Sequence, residues 1–347
     1  MKAEPTLKDV ALRAGVSLNT VSRSLRAPHT VRPELRRRIQ SVLDEMNYVP
    51  NRLAGGLAGS QTAMVGVIVT SLHYSEFAAI IEVMQERLSD AGLQLMIGNS
   101  RYEPDEELRL VRAMLSWRPA AIAIVGTDHH PRARELLAAA GRPVIEIWDC
   151  ADPLVDSGVG MDHRSIGRMQ MDHLHEQGCR RPAFVGSMRE DDHRAHKRLE
   201  GAAACARHHG LRPIVVATEA AIGHPEMGAR LLAQVLGTDP ATDAIICNGD
   251  VVAHGVIAEL RRLGRQVPDD IGVVGFGENP SNTCLEPQLT SIGPPRREIG
   301  LRTAELILRR VEGLPSERIL IQPELVARGS SQRNGGLPAP TTWPSKA

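Results

Sequence analysis

From residue 64 onward, short apolar runs rich in β-branched residues alternate with stretches in which apolar positions recur every three or four residues. MVGVIVT (64–70) precedes a helix over 76–90, LQLMIGN (93–99) one over 105–117, and AIAIVG (121–126) one over 131–140; PVIEIW (143–148) follows. After GVGMD (158–162) the pattern restarts with a helix at 165–177, RPAFVG (181–186), a helix near 194–209, ATDAIICN (241–248), a helix to Leu263, and IGVVGFG (271–277). Apolar strands alternating with amphipathic helices predict parallel sheets covered by crossover helices. Two such units in series predict an α/β core of two parallel-sheet subdomains, with a ligand in the cleft at the carboxyl ends of the strands.

The first 47 residues follow a different pattern. In Thr6-Leu7-Lys8-Asp9 a threonine N-cap is followed three residues on by a carboxylate, the spacing of a capping box. Val10, Ala11 and Ala14 then give one apolar face, Gly15 ends the helix and Val16 turns inward. Ser17 caps a second short helix whose Val21 and Leu25 face the core, and a third follows Pro33 with Leu35, Ile39, Val42, Leu43 and Met46 as its stripe. This is a small all-α head with helix-turn-helix spacing. In such a motif the second helix enters the major groove N-terminus first. Leu18 and Asn19 at its start, and Arg23 one turn later, then reach base edges. Asn suits adenine, Arg suits guanine, and Leu touches only a thymine methyl. Thr6, Ser17, Thr20 and Ser22 are short hydroxyls suited to phosphates. A three-helix protein-binding module is the alternative.

Charge bears on that choice. The chain is neutral overall, but residues 1–60 hold ten Lys/Arg against five Asp/Glu, leaving the remainder with the opposite excess. A basic head on an acidic body points to a polyanionic partner for the head alone. MKAEPTLKDV has no apolar signal-peptide core, and no apolar run approaches the ~20 residues of a spanning helix. The scattered Cys150, Cys179, Cys205, Cys247 and Cys284 contain no C-x-x-C pair and read as reduced, mostly buried thiols. These features predict a cytoplasmic protein without membrane contact, metal or cofactor.

TLKDVALRAGVSLNTVSRSL (6–25) followed by NYVPNRLAGGLAGS (47–60) resembles the DNA-binding head and hinge of the LacI family of bacterial repressors. The resemblance extends, more weakly, to about residue 330. It implies that Leu18 and Asn19 choose the operator and that Arg23 also contacts bases. It implies a helix-turn-helix domain at 1–47, a hinge helix at 48–60 and a periplasmic-binding-protein-like core at 61–330. The chain would cross between subdomains near 161, 290 and 322, giving an N-subdomain of about 61–161 and 291–322. The C-subdomain would be about 162–290 and 323–330, and 331–347 a disordered tail. Arg32 departs from the family, which usually has Ser as the third-helix cap.

The body lacks G-x-S-x-G, a P-loop, metal-spaced His pairs and G-x-G-x-x-G after the first strand, so no catalytic residues are assigned. His129-His130 and His208-His209 read as surface histidines. Effector contacts are expected just after strand ends: His73, Tyr74 and Phe77 after the first strand, and Trp148 with Asp149 at the end of the fourth. The resemblance places an effector-binding arginine at Arg198 in RLEG. In CNGD, Gly249 stands where the family has Asn, Asp250 matches its Asp, and Asn248 substitutes from one place earlier. In VVGFGE the family's sugar-binding Asp is replaced by Gly277, with Glu278 beside it. A neutral sugar welcomes a carboxylate, whereas a sugar acid is repelled by one and gripped by Arg. YEPDEELRLVRAMLSWRPAAIAI (102–124), TDHHPRARELLAAAGRPVIEIWD (127–149) and VGMDH (159–163) resemble the gluconate-utilisation branch of the family. The expected effector is therefore gluconate or a close sugar acid, with a neutral sugar or nucleoside as the alternative.

Gly55 and Gly56 interrupt the hinge, each costing a helix roughly 1 kcal/mol relative to Ala. So short a segment is marginal alone. The resemblance implies that it becomes helical on the operator, with Leu57 wedged into the minor groove beside Asn51 and Ala54. The Pro/Gly-rich tail at 334–347 has no Leu heptads, so a homodimer reading a palindromic operator is expected. Three function classes follow: a DNA-binding repressor, a sugar-binding protein that does not act on DNA, and a sugar-metabolising enzyme. Only the first explains head, hinge and body together.

Overall fold

The computed structural model describes residues 5–48, 62–150 and 153–333, and the chain divides into two compact units, Met1–Thr62 and Ala63–Ala347. The hinge positions Asn51, Ala54, Gly55, Gly56 and Leu57, and the tail 334–347, lie outside the described residues. Among the described residues no helix is long and apolar enough to cross a membrane.

The small unit holds α1 (Leu7–Ala14), α2 (Leu18–Arg26) and α3 (Pro33–Glu45). The capping box forms: the Thr6 N–H donates to Asp9 Oδ2 at 2.8 Å, and the Thr6 hydroxyl accepts from the Asp9 N–H. Gly15 closes α1 at φ 63, in the left-handed region where a side chain is disfavoured. Val10, Val21, Ile39 and Leu43 make the core. Arg32 precedes α3 without any side-chain capping bond, leaving Pro33 to start that helix.

The large unit contains two six-stranded sheets. The first is built from β1 (Met64–Val69), β2 (Gln94–Asn99), β3 (Ala121–Val125), β4 (Val144–Asp149), β5 (Ser157–Met161) and β11 (Arg318–Leu320), in the order β11-β5-β4-β3-β1-β2. The second is built from β6 (Pro182–Ser187), β7 (Val215–Glu219), β8 (Ala244–Cys247), β9 (Gly272–Phe276), β10 (Thr290–Gly293) and β12 (Glu324–Val326), in the order β12-β10-β9-β8-β6-β7. All pairings are parallel except β10 with β12. The crossover helices are α4 (Ser75–Asp90), α5 (Pro104–Ser116), α6 (Pro131–Ala138), α7 (His163–Glu176), α8 (His193–His208), α9 (Pro225–Thr238), α10 (Asp250–Arg262) and α11 (Arg296–Val311). The alternation in the sequence left 210–240 unassigned; β7 and α9 fill it. The chain leaves the first sheet after β5, returns after Gly293 at the end of β10 rather than near 290, and crosses again between β11 and β12.

Two details correct the sequence reading. Residues 331–333 belong to the second sheet's layer and not to a tail: buried Ser331 lies 2.7 Å from His173 Nε2, and the Arg333 guanidinium donates to backbone carbonyls of Pro268 and Asp243. His129 is no surface histidine. Its ring is enclosed, with Nδ1 3.2 Å from Glu107 and Nε2 3.3 Å from Glu146, the latter within ion-pair range but off the hydrogen-bond direction. Burial opposes the charged form, but the Glu107 hydrogen bond and the close carboxylates of Glu107 and Glu146 outweigh it and hold the His129 pKa up at about 9. A folded pKa above the unfolded value means that the stabilisation is complete below about pH 6.5 and is lost as pH rises through about 9. The unfolding free energy from urea titrations should therefore fall between those limits, by on the order of 3 kcal/mol, and His129→Gln should remove that dependence.

Helices α7 and α8 touch backbone to backbone. A Cβ on Gly167 would lie 1.8 Å from the Arg198 carbonyl oxygen, and one on Gly201 would lie 1.9 Å from that of Arg164. This reciprocal contact sets the position of α8, which carries Arg194, Lys197 and Arg198.

Candidate functional site

In the head, the start of α2 offers an exposed face. Ser17 accepts the Thr20 N–H at 3.1 Å, and its hydroxyl lies 2.8 Å from that of Thr20. Leu18 is 41% exposed despite being apolar, and Asn19 and Arg23 are exposed beside it. Ser22 and Thr20 are half-buried, and Thr6 is exposed with its hydroxyl bonded to Asp9. An exposed leucine, amide and guanidinium on a capped helix start form a surface able to read base edges.

In the large unit a cavity of about 290 Å³ opens between the carboxyl ends of the two sheets. Six of the eight sequence-predicted effector residues line it: His73, Tyr74, Phe77, Arg198, Asn248 and Asp250. Trp148 forms a wall, its ring centroid 5.3 Å from that of Phe77 and 6.2 Å from that of Phe276. Trp148 stands at φ 78, a strained conformation for a bulky residue. Opposite it on β5 is Gly160, where a Cβ would meet the Trp148 carbonyl carbon at 2.5 Å.

Arg198 is held at the cavity wall by uncharged direct partners. Its Nε and Nη2 donate to Asn248 Oδ1 at 2.9 and 2.6 Å, its Nη1 donates to His163 Nδ1 at 2.8 Å, and its plane lies over Phe276 at 4.4 Å. These partners are all uncharged: burial, then the charges of Arg198, Arg194 and Lys197, push the His163 pKa well below its usual value. No described carboxylate pairs with Arg198, and burial lowers its own pKa to about 10. Arg198 shares the cavity with Arg194 and with the carboxyl groups of Glu76, Asp192 and Asp250, and the Asp192 charge partly offsets the effect of burial on it.

Asp149 and Glu278 do not join the site. Asp149 is fully buried and accepts from Lys197 Nζ at 2.6 Å, serving as the counter-ion of that buried amine. Glu278 pairs with Arg328, whose Nη1 donates to it at 3.0 Å. Asp250 is organised by Ser291, by the Asn279 N–H and by Asn282, at 2.7, 2.9 and 2.9 Å.

Sequence reasoning missed several lining residues: Glu76, Tyr102, Ser187, Asp192, Arg194, Phe276 and Asn279. Arg194 precedes Arg198 by four residues, a same-face spacing that would have flagged it. Glu76 is the larger surprise. A Cβ on Gly277 would lie 2.7 Å from Glu76 Oε1, so the carboxylate absent at 277 is replaced in space by one from α4. Burial raises the Glu76 pKa.

Comparison with known proteins agrees with this geometry. Residues 6–51 match the profile of bacterial regulatory proteins of the lacI family, and residues 171–331 match that of the periplasmic binding protein-like domain. The chain is similar to the HTH-type transcriptional regulator GntR of Escherichia coli K12, with 32% identity across 96% of this chain and 99% of that one. It is also similar to the GntR regulator of Pseudomonas aeruginosa, with 34% identity across 89% and 90% of the two chains. The crystal structure of a LacI-family transcriptional regulator from Silicibacter pomeroyi superposes with a TM-score of 0.89 at 33% identity, covering 95% of this chain and all of that one.

Proposed function

The chain belongs to the LacI family of bacterial transcriptional regulators, and from that premise we propose that it is a cytoplasmic, homodimeric repressor of sugar-acid catabolism, released from a palindromic operator when a gluconate-type effector fills the cavity. It acts by binding and not by catalysis. The observation that carries the effector class is Arg198, buried at the cavity wall with only neutral partners. A ligand carboxylate would give Arg198 the direct ionic partner it lacks, Trp148 offers a flat face to a carbon chain, and Asp250 and Asn279 present polar atoms to hydroxyls. Leu72 and Ile97, 56% and 45% exposed beside α4, support dimerisation through this edge of the first sheet. Calorimetric titration with gluconate, ketogluconate and glucose, run alongside an operator mobility shift, tests the reading. The acids should bind more tightly and weaken the shifted complex; tighter binding of glucose would overturn it.

The Glu76 carboxylate favours a second reading, in which a neutral sugar or nucleoside donates hydroxyl hydrogens to it. The same titration separates the two.

At the hinge, Gly55→Ala with Gly56→Ala should favour the operator-bound helix by about 2 kcal/mol in each protomer, about 4 kcal/mol for a dimer, tightening operator binding up to roughly 1000-fold and blunting release. A mobility shift at fixed salt measures both effects. Unchanged or weaker binding would mean that the glycines serve close approach to DNA instead.

A further inference from the structure

Away from the cavity, α7 and α8 bring together a set of side chains that the regulatory function does not use. Cys205 near the end of α8 and His209, its C-cap, lie four residues apart, and both point at Asp172 on α7. Cys205 Sγ donates to Asp172 Oδ1 at 2.9 Å, and His209 Nε2 lies 2.7 Å from the same oxygen. The three ligand atoms all fall within 4.8 Å of one another. A second imidazole, His175, stacks on His209 with ring centroids 4.0 Å apart, one turn beyond Asp172.

We propose that Asp172, Cys205 and His209 form a site for a zinc-class divalent cation, with His175 packed against it. A thiolate, an imidazole and a carboxylate are a ligand set for Zn²⁺ or Co²⁺ and not for Ca²⁺ or Mg²⁺. In a tetrahedral centre with bonds of about 2.0–2.3 Å, neighbouring ligand atoms stand roughly 3.4–3.8 Å apart. The two hydrogen bonds around Asp172 Oδ1 thus need only modest opening to admit the ion. Binding balances simply: the metal displaces the Cys205 thiol proton to solvent, while the imidazole moves its proton from Nε2 to Nδ1. Because binding releases the Cys205 proton, affinity rises with pH. The reciprocal glycine contact holds the two helices close enough for ligands from both to converge. Cys205 lies about 10 Å along α8 from Arg198, so the site is separate from the effector cavity.

Anaerobic titration of the full chain with Co²⁺ tests this. One equivalent should produce the near-ultraviolet sulfur-to-cobalt charge-transfer band. Cys205→Ser should abolish it, His209→Gln and Asp172→Asn should weaken binding at least tenfold, and Cys284→Ser, at the exposed cysteine, should keep it. Absence of the band with wild-type protein, or its persistence in Cys205→Ser, would overturn the site. Should Cys205→Ser fail to fold by circular dichroism, an undiminished band in folded His209→Gln overturns it equally.

Discussion

Arg198→Gln is expected to abolish the response to a sugar acid while leaving operator binding intact. The guanidinium is almost fully buried and lies over Phe276, and Asn248 and His163 take three of its five N–H groups, leaving one on each of Nη1 and Nη2 for a ligand. Glutamine keeps polar atoms there but loses the charge and the fork that grips a carboxylate. Breaking a buried charge-assisted pair costs about 3 kcal/mol or more, or at least 100-fold in affinity. Calorimetry reads the loss directly, and a mobility shift should show an operator complex that gluconate no longer dissociates. Glu76→Gln is the companion test. It removes a carboxylate from the cavity, so an acidic ligand should bind severalfold tighter while a neutral sugar binds no better.

The second large effect is structural. Gly201→Ala is expected to destabilise the large unit by about 3 kcal/mol or more, because its Cβ would enter the Arg164 carbonyl oxygen and neither backbone can yield cheaply. Pushing α8 away from α7 also displaces Arg194 and Arg198 from the cavity, so effector affinity should fall with the melting temperature. Gly237→Ala provides the opposite control. It lies near the end of α9 with open space around its added Cβ, and should be neutral or stabilising by up to about 1 kcal/mol. A stable Gly201→Ala with wild-type melting would mean that the helices have room to slide.

Whether an element is legible in the sequence depends on where it sits in the fold. Central strands such as β1, β3 and β9 are buried along almost their whole length, so they are legible as apolar runs. β7 is an edge strand with a mixed pattern, and β11 and β12 have three residues each, too short to stand out from loops. The site shows the same limit at finer scale. Strand ends locate the cavity, but the direction of a side chain there depends on backbone that sequence does not display. At β4 the left-handed turn at Trp148 puts the indole in the cavity and sends Asp149 to Lys197. Glu278, at φ 52, likewise turns to Arg328. Glu76 was invisible because its role arises from the space above a glycine two hundred residues away.

The three chain crossings between the sheets bear on kinematics. One passes through Asp162, one through Pro294-Pro295, and one through Pro323. Proline locks φ, so two of the three links have lost rotations that an ordinary connection keeps. Three tethers already leave two bodies far fewer independent movements than a single linker, and stiffening two of them concentrates the remaining rotation at the bonds around Asp162 and His163. His163 is one of the two residues that hold Arg198, so this least restricted crossing and one anchor of the cavity's cation are adjacent in the chain.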